Sequence, residues 1–383
     1  MIRKIAIATG TRADWGLLSP VARALDARPD CEVEILATNM HLLPRYGNTF
    51  NEILADGFSR VERVEMPLDT DTTLATVTAM AGCMQGMAAA LERLRPHCLV
   101  ILGDRFEMLA TATAALMSGV PIVHIAGGEI SEGAVDDSIR HAITKMATLH
   151  LTATETYRRR VIAMGEEPDR VINTGAIGVW NMLHSPRPSR GELEHSINFL
   201  LPEGSLLVTY HPATLDPVDP AVRCRELLNA LDRFPDRHIL ITYPNNDARG
   251  RIIIDLIEEY ALTRPKRVRV IPSLGRQRYI AALQCVSAVV GNSSSGLVEV
   301  PSMGIPTVDI GMRQRGRMAG PSVIHCGDTA DEIAEAIARA LTPEMREVAK
   351  TSPNPYAKPD TLQIMTEAIA TSPLPLAKHF HDS

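Results

Sequence analysis

Short apolar segments alternate with longer amphipathic segments along most of the chain. The apolar segments lack the strict alternation of a strand that is wet on one face, so they indicate strands covered on both faces. Helices that alternate with such strands are typical of parallel βαβ units. In the first half the predicted strands are Lys4–Thr9, Glu32–Thr38, Cys98–Leu102, Pro121–Ile125 and Leu149–Ala153, and the predicted helices are Leu17–Ala27, Thr73–Leu94, Glu107–Met117 and Ser138–Met146.

The pattern starts again after residues 180–205, which are rich in proline, serine, glutamate and arginine. We therefore expect an α/β protein with two Rossmann-like domains, residues 1–185 and 186–355, followed by a helix and tail over residues 356–383. Their parallel sheets would face a cleft, because such sheets bind ligands beyond the carboxyl ends of their strands. In the second domain the predicted strands are Leu206–Tyr210, Ile239–Tyr243, Val268–Ile271, Ala288–Gly291 and Thr307–Ile310, and the predicted helices are Ala221–Arg233, Arg251–Tyr260, Arg276–Gln284, Leu297–Met303 and, in the tail, Thr361–Ala370.

The composition narrows the class of protein. Of 383 residues, 45% are hydrophobic and 22% are charged, values that exclude disorder, collagen or a coiled coil for the whole chain. The net charge of −6 argues against a general nucleic-acid binder, which needs a basic face. The six cysteines form no CxxC pair, and neither a signal peptide nor an apolar run of membrane-spanning length stands out. We therefore expect a cytoplasmic protein that binds neither nucleic acid nor a membrane.

The first predicted strand ends in TGTRADWG, which carries Arg12 and Asp14. A helix that begins here offers free N–H groups to an anion, and an arginine can hold a phosphate with two parallel hydrogen bonds. A capped helix with a solvated arginine explains this segment alone equally well. The segment is not the GxGxxG of dinucleotide-binding proteins, so no nicotinamide or flavin cofactor is indicated.

Two further strand ends in the first domain carry acidic residues. The strand Cys98–Leu102 runs into GDRFE, with Asp104 and Arg105, where a lone aspartate is about as often a helix cap as a functional group. The next strand leads into VHIAGGEISEGAVDDSIRHAITK, which contains Glu129 and Asp136.

Within this second segment, Asp137 is spaced to pair with Arg140 and His141 one helical turn later. Capping or pairing explains any single residue of the segment. The group as a whole lies at the same end of the predicted sheet as Asp104, which favours acid/base chemistry. Carboxylates whose environments separate their pKa values could remove and return protons.

In the second domain, the segment GNSSSG precedes the predicted helix Leu297–Met303. Its hydroxyl and backbone N–H groups could hold a diphosphate, and Glu299 in that helix could accept hydrogen bonds from two ribose hydroxyls. Serine is also a common N-cap, so this loop alone is weak support. Arg313 begins the basic stretch RQRGR after the next strand, where it could neutralise a diphosphate or simply be solvated. No P-loop, zinc motif or GxSxG is present, so neither an NTPase, a metal site nor a hydrolase serine is indicated.

These motifs together resemble the hydrolysing UDP-N-acetylglucosamine 2-epimerases of bacterial sialic-acid synthesis. TGTRADWG, YGNTF, LGDRFE, HIAGGE, DDSIRHAITK, YHP, YPNND, GNSSSGLVEVPS and GMRQRGR occur in the family's order from residue 9 to about residue 317, and PNPYAKPD follows at residues 353–360. The resemblance implies a glycosyltransferase-B type arrangement that holds UDP mainly through the second domain. It also implies a UDP-sugar substrate, and we expect a homo-oligomer, either a dimer or a tetramer.

The family's reaction begins with anti elimination of UDP to give a 2-acetamidoglucal, and addition of water then gives N-acetylmannosamine. Neither a metal nor another cofactor is implied. By position, the resemblance implies catalytic or sugar-binding roles for Asp104, Asp136 and His211, substrate contacts for Arg12, Asp14, Arg105, Ser293, Ser294, Glu299 and Arg313, and a sugar-proximal loop at Asn246 and Asp247.

One position departs from the family pattern. Many relatives have a glutamate two residues after the histidine of HIxGGE, where this chain has Ala126. Glu129 is our candidate for the missing catalytic carboxylate. Three alternatives remain: a 2-epimerase for UDP-2,4-diacetamido-2,4,6-trideoxyglucose on the legionaminic-acid route, a glycosyltransferase of the same architecture, and a catalytically silent nucleotide-sugar sensor.

Overall fold

The computed structural model describes residues 2–44, 47–68, 70, 72–132, 134–213, 216–245 and 249–382. The chain divides into two compact units. Unit 1 comprises Met1–Glu129, Asp136–Asn181 and Lys358–Ser383, and unit 2 comprises Ile130–Val135 and Met182–Ala357. The C-terminal segment therefore belongs with the first Rossmann-like unit.

Unit 1 is built on a parallel sheet. Its strands are β1 (Arg3–Thr9), β2 (Cys31–Ala37), β3 (Val61–Arg63), β4 (Cys98–Leu102), β5 (Ile122–Ile125), β6 (Leu149–Thr152) and β7 (Val171–Asn173). Its helices are α1 (Arg12–Asp26), α2 (Phe50–Ala55), α3 (Thr73–Leu94), α4 (Phe106–Met117), α5 (Asp136–Met146), α6 (Glu155–Ala163), α15 (Thr361–Thr371) and the start of α7 (Ile177–His184). The strand order is β3-β2-β1-β4-β5-β6-β7, so the order reverses between β1 and β4. In Rossmann folds, ligands bind at this reversal.

Unit 2 repeats the architecture. Its strands are β8 (Leu206–Thr209), β9 (Ile239–Thr242), β10 (Val268–Ile271), β11 (Ala288–Gly291), β12 (Thr307–Ile310) and β13 (Val323–Cys326). Its helices are the end of α7, α8 (Arg190–Ile197), α9 (Pro220–Asp232), α10 (Gly250–Leu262), α11 (Gly275–Cys285), α12 (Ser295–Val298), α13 (Ala330–Ala340) and α14 (Pro343–Thr351). The order β10-β9-β8-β11-β12-β13 again reverses in the middle, between β8 and β11.

Each sheet is covered on both faces because alternate residues of its strands enter two different hydrophobic cores. In β1, Ile5 and Ile7 pack in one core with α1, whereas Ala6 and Ala8 pack in the other with α3 and α4. Strand β8 of unit 2 is divided between two cores in the same way. The prediction of two parallel α/β sheets covered by helices is confirmed.

The elements that the sequence prediction missed are mostly short or lie at a sheet edge. They are β3, β7, β13, α2, α6, α7, α8, α13 and α14. The strands β3 and β7 contain three residues each, and all three missed strands form edges of their sheets. A strand of three residues is too short to show a period of two, which is why the pattern did not reveal it.

Helix α3 is long and apolar enough to cross a membrane by length and composition alone, a property that the sequence prediction overlooked. Its residues Cys83, Met87 and Ala90 are buried in the core of unit 1 that also contains residues of α4. These positions recur every three or four residues, so one face of the helix packs as a core helix does.

Candidate active site

The carboxylate of Asp104 lies just after β4, at the strand end where the order of unit 1 reverses. The buried guanidinium of Arg140, on α5, donates a hydrogen bond to it. A charge-assisted bond of this kind fixes the orientation of the carboxylate and keeps it as a hydrogen-bond acceptor. The position of Asp104 therefore depends on a residue 36 positions further along the chain.

Arg140 connects three segments of unit 1. Besides Asp104, it donates to the backbone carbonyl of Glu129 at 2.9 Å and to Oδ1 of Asp137 at 3.2 Å. The predicted pairing of Asp137 with Arg140 is thereby confirmed, and His141 lies 3.5 Å from the same carboxylate. Sequence reasoning selected Arg140 for its spacing from Asp137. Its other contacts could not be read from spacing, because they reach other parts of the chain.

The two candidate acidic residues of this segment are Glu129 and Asp136. Glu129 is buried, and Arg140 holds its backbone. Asp136 is the first residue of α5, immediately before Asp137. A carboxylate in the first turn of a helix is stabilised by the helix dipole. The structure thus brings Asp104, the Glu129 backbone and the start of α5 together around one arginine.

The loop between β5 and α5 has a strained start. Ala126 adopts a left-handed backbone with φ of +67°, which costs about 1–2 kcal/mol for a residue with a side chain. At Gly128, φ is +80° and a Cβ atom would lie 2.6 Å from the carbonyl oxygen of Tyr157, so only glycine fits there. Strained residues of this kind cluster at functional sites.

His124 has a structural role in this site. Its ring is buried in β5, with Nε2 2.8 Å from the carbonyl of Gly103 and Nδ1 3.2 Å from the Thr144 hydroxyl. Burial lowers the pKa of His124 to about 3, so the ring is neutral at physiological pH. It donates from Nε2 to Gly103 and so fixes the turn that presents Asp104.

The turn after β1 carries two further predicted residues of unit 1, Arg12 and Asp14. Arg12 begins α1 and forms an ion pair of 2.9 Å with Glu52 on α2. The hydroxyl of Thr11 caps the helix by accepting from the N–H of Asp14. Burial raises the pKa of Asp14 to about 6, an effect that Arg105 opposes.

In unit 2, His211 follows β8, and its backbone N–H, its carbonyl and its ring each form a hydrogen bond. The amide of Asn292 accepts from the His211 N–H at 2.7 Å and donates to its carbonyl at 2.8 Å. The N–H of Asn245 donates to Nδ1 of the ring at 3.0 Å. Because Nδ1 is an acceptor, the neutral ring carries its proton on Nε2. The predicted residues Asn246 and Asp247 lie outside the described residues.

The serine loop after β11 leads into a shorter helix than predicted. Helix α12 contains four residues, Ser295–Val298, and a 3₁₀ turn over Val300–Met303 follows it. Pro301 lacks the N–H group that would continue the helical hydrogen bonds, which explains the break. Glu299 therefore lies at the junction of the two turns and not one turn inside a regular helix, as the sequence suggested.

This short helix carries little dipole, so the chemistry of the loop rests on its own polar groups. Ser293 and Ser294 are partly exposed, and Ser295 lies 2.9 Å from the Tyr279 hydroxyl. Arg313 donates to the carbonyl of Asn292, the residue before the loop, at 3.2 Å. The structure thus places Arg313 against the residue that precedes the predicted serines in unit 2.

The molecule is an α/β protein with two Rossmann-like units and polar strand ends, a class whose members bind ligands beyond the carboxyl ends of their strands. Residues 23–370 match the family model of UDP-N-acetylglucosamine 2-epimerases. The chain belongs to this family.

Curated relatives point the same way. The chain is 35% identical to the UDP-N,N'-diacetylbacillosamine 2-epimerase (hydrolyzing) of Legionella pneumophila, over 89% of each chain. It is 34% identical to the GDP/UDP-N,N'-diacetylbacillosamine 2-epimerase (hydrolyzing) of Campylobacter jejuni, over 84% of each chain. It is also 34% identical to polysialic acid biosynthesis protein P7 of Escherichia coli, over 94% of this chain and 92% of that protein.

Solved structures share the fold. The UDP-GlcNAc 2-epimerase of Neisseria meningitidis bound to UDP-GlcNAc matches with a TM-score of 0.79 and 16% identity, over 96% of this chain and 99% of that one. The Methanocaldococcus jannaschii UDP-GlcNAc 2-epimerase in complex with UDP-GlcNAc and UDP matches with a TM-score of 0.77. The predicted glycosyltransferase-B type of fold is confirmed.

Proposed function

We propose that this protein is a hydrolysing 2-epimerase that converts UDP-N-acetylglucosamine and water to UDP and N-acetylmannosamine for sialic-acid-type sugar synthesis. The main structural observation that supports the proposal is the hydrogen bond from Arg140 to Asp104, which positions a carboxylate at a strand end of unit 1. Membership of the epimerase family, whose relatives here include hydrolysing enzymes, favours this reaction over glycosyl transfer.

The first step is an elimination. A carboxylate removes the proton from carbon 2 of the sugar, and the electrons of that bond form the double bond between carbons 1 and 2. The bond between carbon 1 and the phosphate oxygen breaks, and UDP leaves with its electron pair. We assign the proton transfers at carbon 2 to Asp104 and Asp136, since positioned carboxylates are suitable general bases and acids.

The second step is a hydration. Water adds its hydroxyl to carbon 1, and carbon 2 receives a proton on the face opposite to the one that lost it. Activation of this water needs a further base, and we assign that role to Glu129. The buried position of Glu129, three residues after the strained residue Ala126, supports the assignment.

We assign UDP to unit 2. The hydroxyl groups of Ser293 and Ser294 would donate to the diphosphate, and Arg313 would balance its charge. Glu299 would accept from the ribose hydroxyls. His211, whose proton is on Nε2, supplies a donor for the leaving phosphate oxygen.

A second substrate has support of its own. Two relatives that are 34–35% identical carry the name of a diacetylbacillosamine 2-epimerase, whereas the UDP-N-acetylglucosamine 2-epimerase of Neisseria meningitidis is 30% identical. The diacetamido sugar differs from N-acetylglucosamine at carbons 4 and 6, far from the bonds that react. The same elimination and hydration would therefore apply to it.

The two substrates are distinguished by incubating the protein with each UDP-sugar and measuring UDP release and the released sugar by NMR. The proposal predicts a higher kcat/KM for UDP-N-acetylglucosamine and a product with the manno configuration. A higher kcat/KM for the diacetamido substrate would transfer the same mechanism to that sugar. Release of UDP only when an acceptor is added would indicate a transferase.

A further inference from the structure

Three adjacent strand ends in unit 1 carry buried polar side-chain atoms that lack a hydrogen-bond partner among the described residues. They follow β2, β1 and β4, which are neighbours in the sheet. Both polar side-chain atoms of Asn39 are buried without a partner, and so are Oδ2 of Asp14 and Oε2 of Glu107. Buried polar atoms almost always have a partner, so three such side chains at the ligand-binding end of a sheet require an explanation.

The carboxylate of Glu107 lies directly against the turn that follows β1. Gly10 begins this turn, and a Cβ atom there would collide with Oε1 of Glu107. The side chain of Glu107 is fully buried, and Nε of Arg105 donates to its Oε1 at 2.8 Å. Glycine at position 10 is thus required for Glu107 to reach the turn, which leaves its second oxygen without a donor.

Asp14 lies in the first turn of α1, close enough to Glu107 for their charges to interact. Burial has the largest effect on the pKa of Asp14 and raises it. Of its two charged neighbours, Arg105 lowers this pKa and Glu107 raises it. Two carboxylates that share one arginine form an acceptor-rich, negatively charged site. Such a site repels a phosphate and accepts hydrogen bonds from neutral donors.

We propose that Asp14 and Glu107 form the subsite that accepts hydrogen bonds from hydroxyl groups of the sugar ring, and that Glu107 thereby determines which sugar is bound. This inference rests on the proposed function. It gives the turn after β1 a role in holding the sugar and not the diphosphate. It also adds Glu107, which sequence reasoning did not select, to the substrate-binding residues.

The ligand chemistry follows from the two unsatisfied oxygens. A ring hydroxyl donates one hydrogen bond to a carboxylate oxygen, and a buried bond to a charged acceptor is among the strong ones. A sugar that carries a methyl group at carbon 6 would leave a carboxylate oxygen unpaired. Sites built to bind a hydroxyl reject analogues that lack it, because the unpaired polar group costs free energy.

The test compares UDP-N-acetylglucosamine with its 4-deoxy and 6-deoxy analogues in wild-type protein and in Glu107→Gln. The wild type should show a kcat/KM at least tenfold higher for the hydroxylated substrate than for one of the analogues. In Glu107→Gln this preference should fall to about twofold or less, mainly through KM, and Asp14→Asn should change it in the same direction. Affinity for UDP alone should stay within twofold in both variants. Glu367→Gln, an exposed change on α15, serves as the matched control.

Two results would overturn the inference. One is an unchanged preference in both variants, and the other is a loss of UDP affinity in parallel with the rise in KM. Thermal melting of each variant separates a folding defect from a change in specificity, since Glu→Gln preserves the shape of the side chain. If the wild type releases no UDP from any of these substrates, the proposed function fails. Calorimetry then still tests the subsite, because it compares the affinity for the UDP-sugar with the affinity for UDP in the wild type and in the two variants.

Discussion

Arg140 donates a hydrogen bond to Asp104 across two elements of unit 1, the helix α5 and the turn after β4. The arginine is 1% exposed, so this bond forms in a medium of low dielectric constant. Its second amino group holds the Glu129 carbonyl and the Asp137 carboxylate. Arg140 therefore positions the Asp104 carboxylate directly and also holds the backbone of Glu129 and the side chain of Asp137. Several expectations follow from that arrangement.

Replacing Asp104 with asparagine should lower kcat by about 10²–10⁴-fold, the usual cost of losing a positioned acid or base. Affinity for UDP should change little, because we assign UDP to unit 2. Steady-state kinetics and UDP calorimetry measure the two effects, with the exposed Asp169→Asn as control. Weaker UDP binding at normal turnover would make Asp104 a binding residue.

Arg140→Ala should lower the free energy of unfolding by about 3–5 kcal/mol, because it leaves a buried network without its cation. Arg140→Lys keeps the charge but loses the forked guanidinium that reaches three groups. Its free energy of unfolding should therefore fall less than that of Arg140→Ala, whereas its kcat should still be clearly reduced. Urea titrations and kinetics on the same samples measure both quantities. If kcat falls in each variant only in proportion to the loss of folded protein, Arg140 is a structural residue and not a positioning residue.

Ser294→Ala and Arg313→Ala should each weaken UDP binding by about 1–3 kcal/mol through the loss of a hydrogen bond to a charged group. Calorimetry with UDP measures the change, and turnover at saturating substrate should be preserved. Unchanged affinity in both variants would contradict the diphosphate assignment.

Glu129→Gln should lose most of the turnover while retaining UDP affinity. Introducing Ala126→Glu in that background should restore part of it, since this position carries the glutamate in many relatives. The left-handed backbone at position 126 costs about the same free energy for glutamate as for alanine, because both have a Cβ atom. The double variant should therefore fold. Normal turnover of Glu129→Gln would assign the chemistry to the two aspartates alone.

The C-terminal tail provides a stability test that is separate from catalysis. Burial alone would raise the pKa of Glu166, but hydrogen bonds from His150, Lys145 and Lys378 outweigh it and lower this pKa to about 2. Lys378 belongs to the tail and lies 2.6 Å from Glu166. The contact of Lys378 fastens the tail to the rest of unit 1.

The pH dependence follows from the lowered pKa. A carboxylate with a depressed folded-state pKa contributes stability above its ordinary value, and this contribution is lost as the pH falls towards the folded value. Glu166→Gln should therefore be less stable than the wild type at pH 7, and the gap should narrow between about pH 4.5 and pH 2. Urea titrations over that range measure the gap. A gap that is independent of pH would show that the charge of Glu166 is not the stabilising feature.

The sequence predicted the fold well where the pattern was strong. Four strands, Cys98–Leu102, Val268–Ile271, Ala288–Gly291 and Thr307–Ile310, have the predicted bounds, as does the helix Thr73–Leu94. Cys98–Leu102 and Ala288–Gly291 are unbroken runs without a polar side chain in buried parallel strands, which explains their agreement. Val268–Ile271 was found although it is an edge strand and contains Arg269. Edge strands such as β3 have no such run.

The site was less predictable. Strand ends and motif spacing selected Asp104 and Arg313, because the ends of parallel strands gather at one edge of a sheet. The roles of Arg140 and Glu107 depend on contacts between segments that are distant in sequence. The buried amide of Asn39, which has no hydrogen-bond partner in the part of the chain that the structure describes, likewise has no sequence signal, since burial of a polar group is a property of the packed fold.

The elimination and hydration are tested most directly by turnover of UDP-N-acetylglucosamine in heavy water, with mass spectrometry and NMR of the released sugar. We expect UDP and N-acetylmannosamine that carries one deuterium at carbon 2, because the proton removed there is replaced from solvent. Released sugar that retains the original hydrogen at carbon 2 would exclude the elimination, since water would then have displaced UDP without breaking that bond.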